Sequence, residues 1–239
     1  QDYLESVFFD YKLPDMDEAV LRKVNDHEVE GRFQTIKRLW GGPNKVQLCF
    51  VLRSDVPFSD VKEYKDCGRM LLEFGKKGIV NVKIGLSYVS EENARENLDR
   101  ENPGWDFDAV AGQALAVWDE MFGRIEVKGG DKEQKVKFYT DLWHVLLGRH
   151  RISDCNGDYP DYTYMRRGFA GKRTVDPMMA RTVPLQNGKP AFNMYGFDAL
   201  WLTQWNLNVL WGLPVSLNMI VGNPLGTILS LDACIDINI

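Results

Sequence analysis

The stretch Val80-Asn81-Val82-Lys83-Ile84-Gly85-Leu86-Ser87-Tyr88-Val89-Ser90-Glu91 decides the fold, because it carries the last clear two-residue period before the pattern changes. Val80, Val82, Ile84, Leu86 and Tyr88 alternate with Asn81, Lys83, Gly85, Ser87 and Val89, which predicts a strand whose apolar row is its buried face. Upstream, Val46, Leu48, Phe50 and Leu52 alternate in the same way with Gln47, Cys49, Val51 and Arg53. Weaker runs at residues 3–11, 29–39 and 70–74 add strands, and Trp40-Gly41-Gly42-Pro43-Asn44 and Gly75-Lys76-Lys77-Gly78 read as turns. A polar helix is expected over residues 15–25. No helical crossover separates the strands between Val29 and Val89, so antiparallel pairing in a β-sandwich fits best.

Beyond Glu91 the period becomes helical. After Pro103-Gly104, Asp106 can cap a helix in which Phe107, Val110, Ala111, Ala114, Leu115, Trp118, Met121 and Phe122 follow helical spacing until Gly123. A short β-like stretch, Ile125-Glu126-Val127, leads to Asp131, where Gln134 completes a capping box. That second helix sets Val136, Tyr139, Leu142, Trp143, Leu146 and Leu147 on one side and ends near Gly148. Residues 149–190 are rich in Gly, Asp, Tyr and Pro and poor in periodicity, and loops of that length are often functional. A third helix is expected at residues 197–211. One of its faces carries Ala199, Leu200, Thr203, Leu207, Leu210 and Trp211, and the other carries Asp198, Trp201, Trp205 and Asn208. Flat rings mixed with amide and carboxylate groups suit a site that stacks on a polar ring and bonds its hydroxyls. Plain burial of two large apolar rings explains the same pattern. Residues 215–239 lose amphipathic periodicity and finish apolar, so the chain is expected to stop inside a domain.

With 239 residues, 44% of them hydrophobic, the protein is large enough to bury a sizeable core. A formal charge of -5 without long basic blocks argues against nucleic acid as a partner, and Arg166-Arg167 are too few to change that. No stretch reaches the apolar length of a membrane-spanning helix, and the chain is expected to be soluble. Cys49, Cys67, Cys155 and Cys234 are scattered without zinc spacing, and Cys49 reads as a small buried hydrophobe. Phosphate-binding, dinucleotide, nucleophile-elbow and zinc-protease motifs are missing from the sequence. Asp154, Asn156 and Asp158 alternate like the opening of a calcium loop. Gly157 comes too early for that loop's turn, however, and Met165 stands where its closing Glu belongs, so a polar turn is expected. His144 reads as a core or interface histidine, and His150 as part of a basic helix end with Arg149 and Arg151. Spacing alone picks no carboxylate pair for glycoside chemistry out of 34 acidic residues.

The order of segments is more specific. Ile84 to Ala94, then Pro103-Gly104-Trp105-Asp106-Phe107-Asp108, then Trp118 through Gly123-Arg124-Ile125-Glu126-Val127, then Lys135 to Leu147 with Ser153-Asp154 and Gly157, resembles glycoside hydrolase family 92. The matching blocks run in the family's order from Val29 to Trp211. The resemblance implies calcium-dependent, inverting, exo-acting α-mannosidases that act on mannose-containing glycans. It also implies an α+β multidomain fold, with an N-terminal antiparallel β-sandwich, linker helices and an (α/α)6 barrel, and an active site between sandwich and barrel. On this reading residues 1–95 are part of the sandwich, 96–130 the helical linker and 131–239 the incomplete start of the catalytic barrel. Many members carry Leu-Trp-Asp-Thr where this protein has Leu200-Trp201-Leu202-Thr203, and Leu202 cannot accept a hydroxyl proton. Either Gln204 with Asn206 or Asn208 substitutes, or the sugar or linkage differs. The expected substrate-binding residues are Asp198, Trp201, Gln204, Trp205 and Asn208. The family's general acid, general base and main Ca²⁺ segment lie further along its barrel, so no catalytic or metal residue is carried over and the chain alone is expected to be inactive. Family habit implies export to the periplasm, the cell surface or the medium. The alternative reading is a non-catalytic carbohydrate-binding or interaction module on the same scaffold.

Overall fold

The computed structural model describes residues 4–10, 16–35, 46–64, 69–146, 151–161 and 179–194. Two compact units divide the protein, Gln1–Trp105 with Ile152–Pro190, and Asp106–Arg151 with Ala191–Ile239.

The first unit begins with seven strands: β1 (Leu4–Asp10), β2 (Met16–Lys23), β3 (Glu28–Thr35), β4 (Gln47–Ser54), β5 (Asp60–Tyr64), β6 (Arg69–Gly78) and β7 (Val82–Ser87). They form two antiparallel sheets of order β1-β6-β5 and β2-β3-β4-β7. The expected antiparallel arrangement is therefore present. Register places Val29 opposite Leu52 and Leu52 opposite Ile84, so these three share one face of the larger sheet. Val29 and Leu52 enter one core with Met70, Leu72 and Phe74 of the smaller sheet and with Phe58, whose ring meets that of Phe74 at 5.7 Å. The other face of the larger sheet receives a helix, α1 (Glu91–Glu101), through Val51, Ala94 and Leu98. Gly85 makes the close approach possible. A Cβ there would lie 2.2 Å from the Ala94 carbonyl oxygen and 2.7 Å from the Leu98 Cβ.

The structure departs from several expectations. Residues 15–25 contain strand β2 in place of a polar helix. It pairs Ala19 with Phe33 and Leu21 with Gly31, and this ladder overrides the weak local pattern. Gly75 to Gly78 form no turn but continue β6. Gly75 takes φ +64, and pairing skips from Glu73 to Gly78, which is the geometry of a bulge. The buried row of β7 is also the opposite of the expected one. Lys83, Gly85 and Ser87 are buried beneath α1, whereas Val82, Ile84 and Leu86 are 38%, 46% and 52% exposed. Helix α1 itself is not among the expected elements. Its start follows ordinary capping rules, with the Ser90 Oγ accepting from the Asn93 N–H at 3.0 Å and Glu91 and Glu92 in the first turn. Ile125 to Val127 form no strand. The region expected to be one long loop contains β8 (Asp158–Asp161) paired with β9 (Met179–Thr182), and a tight hairpin of β10 (Leu185–Gln186) and β11 (Lys189–Pro190).

In the second unit, α2 (Phe107–Gly123) and α3 (Lys132–Leu146) stand where the caps place them. The Asp106 carboxylate accepts from the Ala109 N–H at 2.9 Å. The Asp131 carboxylate accepts from the Gln134 N–H at 2.8 Å while Gln134 accepts from the Asp131 N–H at 3.1 Å, which completes the capping box. The apolar face expected of α2 is only partly enclosed: Met121 is buried, but Phe107 and Leu115 are 73% and 65% exposed. His144 is exposed beside the Trp143 ring and occupies no core.

Candidate functional site

The densest polar chemistry in the first unit gathers where the end of β7, helix α1 and the turn at residues 152–158 meet. The Asp154 side chain is its centre and is buried. Its Oδ2 accepts from the Ser87 hydroxyl at 2.7 Å and from Asn93 Nδ2 at 2.8 Å, and its Oδ1 accepts from Asn97 Nδ2 at 2.7 Å. Each of two donors is oriented by a further bond. Ser87 Oγ accepts from the backbone N–H groups of Val89 and Ser90, which directs its own proton to Asp154. Asn97 Oδ1 accepts from the Cys155 N–H at 2.8 Å, which turns its NH₂ toward Asp154 and the Leu86 carbonyl. Burial pushes the Asp154 carboxyl above its ordinary range, against the hydrogen bonds from Asn93, Ser87 and Asn97, and the Asp158 charge adds to the rise. Asp158 accepts from Asn93 and Asn156 on one oxygen and from Thr182 on the other. The polar turn expected at Asp154, Asn156 and Asp158 is present, closed by the Gly157 N–H to Asp154 carbonyl bond at 2.9 Å with Gly157 at φ +91.

A second network fixes α1 to the same sheet face. Glu28 and Glu30, 5% and 4% exposed, sit on β3 under the helix. Arg95 donates to Glu28 through Nε at 2.9 Å and Nη2 at 2.8 Å and also bonds Glu30. Arg53 bridges Glu28 and Asp99, and Arg22 Nε donates to Glu30 at 2.8 Å. Buried carboxylates require such partners, because an uncompensated charge there is expensive. Burial alone would raise the Glu30 carboxyl, but Arg22 and Arg95 outweigh it and hold it below the usual glutamate range. At the far end of α1, Lys83 Nζ donates to the carbonyls of Asn102, Pro103 and Gly104 at 2.8–3.2 Å and lies 4.3 Å from the Trp105 ring centroid. Burial, helped by the Arg53 charge, lowers the Lys83 pKa.

These networks can position backbone but offer little for catalysis. Every Asp154 oxygen is occupied by a protein donor, and among the described residues no group of three or more His, Cys, Asp or Glu side chains could hold a metal ion. Cys49 is fully buried as expected, and burial, with the Glu91 charge, pushes its thiol up to about 12. The second unit has an open groove of about 640 Å³, lined by Phe122, Lys132, Lys135, Val136, Tyr139 and Trp143 among others. The Tyr139 hydroxyl is tied to the Ile125 carbonyl at 3.0 Å.

Asp198, Trp201, Gln204, Trp205 and Asn208, with the whole expected helix at 197–211, lie outside the described residues, as do His150, Cys67 and Cys234. Sequence reading missed the Asp154 knot and the Glu28–Glu30 network. Glu28 and Glu30 occupy alternate positions entering a β run, which marks a shared strand face, and Ser90 three residues before Asn93 marks a helix cap. Neither pattern names the partner, which lies 57 to 67 residues away for Ser87, Asn93 and Asn97 on Asp154 and for Arg95 on Glu28.

Residues 93–216 match the family model described as the glycosyl hydrolase family 92 catalytic domain. A protein of Arthroderma benhamiae named "Uncharacterized secreted glycosidase" is 40% identical over 85 residues, 34% of this chain and 11% of the relative. The solved family GH92 α-mannosidase of Bacteroides thetaiotaomicron aligns with 77% of this chain at TM-score 0.58 and 18% identity, and a GH92 inverting mannosidase of B. thetaiotaomicron VPI-5482 with 74% at TM-score 0.53 and 21% identity. The match spans 24% of the length of each of these two structures, about a quarter of a whole enzyme of this kind. The family match begins on α1, continues through α2, α3 and the Asp154 turn, and covers just over half of the sequence, so this protein belongs to glycosyl hydrolase family 92.

Proposed function

We propose that the chain is part of an exo-acting α-mannosidase that removes mannose from α-mannosides of glycans with inversion at the anomeric carbon. The observation that carries this reading is the family match over residues 93–216, supported by the fold likeness to solved mannosidases, one of which was solved with mannoimidazole. In an inverting enzyme, one carboxylic acid protonates the leaving oxygen while a carboxylate on the opposite face activates water. The resemblance assigns neither role to a residue of this chain. Its own contribution is a wall for the sugar, with Trp201 and Trp205 as stacking surfaces and Asp198, Gln204 and Asn208 as partners for hydroxyls. Residues 1–95 would belong to the sandwich, 96–130 to the linker and 131–239 to the barrel.

Calcium does not fit the residues described. Asp154 and Asp158 are satisfied by protein donors, and no other acidic cluster stands near them with metal-ligand geometry among the described residues. The ligands of such an ion would come from other segments. Export of the whole protein fits the relative named as a secreted glycosidase.

The test has two arms. The 239-residue protein, assayed with calcium and an α-mannoside, is expected to release no mannose; measurable calcium-dependent release would overturn the fragment reading. Mannoside titration followed by Trp fluorescence should quench wild type and lose most of its amplitude in Trp201→Ala and Trp205→Ala. Equal responses in all three would remove the sugar wall.

A further inference from the structure

Two Asn-Gly dipeptides occur in the sequence, and the structure places them in opposite situations. At Asn156-Gly157 both groups that could react with each other are held. The Gly157 N–H donates to the Asp154 carbonyl at 2.9 Å, Asn156 Nδ2 donates to Glu96 and Asp158, and Asn156 Oδ1 accepts from the Asp158 N–H at 2.9 Å. At Asn187-Gly188 the dipeptide is the exposed two-residue tip between β10 and β11, with φ 52 and φ 75, as a type I′ turn requires. The ladder pairs Leu185 with Pro190 and Gln186 with Lys189 and leaves both tip residues outside it. Among the described residues, its chain neighbours aside, no heavy atom lies within 4 Å of the position a Gly188 Cβ would occupy. So short a hairpin opens at low cost, which frees the Asn187 ψ to rotate.

We propose that Asn187 is a site of spontaneous backbone modification. The Gly188 backbone nitrogen attacks the Asn187 amide carbon Cγ and forms a new bond to it. The bond from Cγ to Nδ2 breaks, and Nδ2 leaves as ammonia with the proton lost from Gly188. The resulting five-membered imide is opened by water, which adds across one of its two carbon–nitrogen bonds to give aspartate or isoaspartate. Glycine at the next position permits the attack because no side chain shields its nitrogen. The consequence is local. Isoaspartate adds a methylene to the backbone, which a two-residue turn cannot hold. Val183, just before this hairpin, and Pro190, in its second strand, crowd Gly157, where an added Cβ would lie 2.9 Å and 3.2 Å from them. The modification therefore loosens the support beneath the turn that carries Asp154.

The experiment is incubation of the folded 239-residue protein in mildly alkaline buffer, with and without urea, followed by peptide mass mapping and isoaspartyl methyltransferase labelling. In the folded state, Asn187 is expected to convert at least about tenfold faster than Asn156, since only the Asn156 turn must first break a packed network. In urea the two rates should converge. Equal rates in the folded state, or an Asn187 that stays intact while folded yet converts in urea, would overturn the proposal.

Discussion

Gly85 and Gly112 are both glycines inside regular elements, yet a methyl group added to each would meet opposite surroundings. At Gly85, on β7, it would collide with the Ala94 carbonyl and Leu98 Cβ, whereas at Gly112, in α2, no atom of the described residues outside the helix's own backbone lies within 4 Å. The contrast extends to the two regions. In the sheet region, long-range partners complete both the apolar core and the charged layer, with Val29, Leu52 and Leu72 wholly or almost wholly buried and Glu28 and Glu30 neutralised by arginines. In α2 and α3, the N-terminal caps are formed, while Leu115 and Val136 are 65% and 57% exposed. Local hydrogen bonding suffices to define where a helix starts. Burial of its side chains depends on partners remote in sequence.

The largest effect should come from forcing the close approach apart. Gly85→Val is expected to unseat α1 and cost about 3 kcal/mol or more, read as a lowered urea midpoint. An unchanged midpoint would show that α1 is not seated on Gly85. Asp154→Asn comes next, because it turns an amide NH₂ toward donors that now find an oxygen. A loss of about 2 kcal/mol is expected. If Asp154→Asn is as stable as wild type, the knot contributes little to holding the turn.

Acid titration sharpens the comparison inside the sheet region, since two of its buried carboxylates, Glu30 and Asp154, shift in opposite directions. Glu30 lies below the ordinary glutamate value of 4.5, so its stabilisation is present above that pH and is lost as pH falls through its lowered folded pKa. The advantage of wild type over Glu30→Gln should therefore shrink on acidification in that range. Asp154 lies above the ordinary aspartate value of 3.8, so its ionisation costs stability as pH rises from there through the raised folded value. Parallel pH dependence in Glu30→Gln and wild type would remove the first claim.

Helices α2 and α3 should respond more weakly. Asp131→Ala removes the capping box and is expected to cost about 1 kcal/mol. Gly112→Ala should stabilise α2 by up to about 1 kcal/mol, the reverse of the effect at Gly85. A destabilised Gly112→Ala would mean that a close neighbour covers this part of α2.

What the amino-acid order determined by itself is the set of features written in adjacent residues. These include the two-residue period of Gln47–Ser54 and Val82–Ser87, the caps at Asp106 and Asp131, and the segment order that resembles the family. Tertiary structure decided which side of each period is buried. The alternation of Val82, Ile84 and Leu86 with Lys83, Gly85 and Ser87 is equally a strand in either orientation. The arrival of α1 on the Gly85 side makes the polar and small row the buried one. Met16–Lys23 became a strand because β3 offered it a ladder, and Asp154 became a buried acceptor because Ser87, Asn93 and Asn97 converge on it from well upstream. The physical reason is one of range. Period and capping are properties of a few neighbouring peptide units, whereas burial and charge compensation depend on which distant segment occupies the facing space.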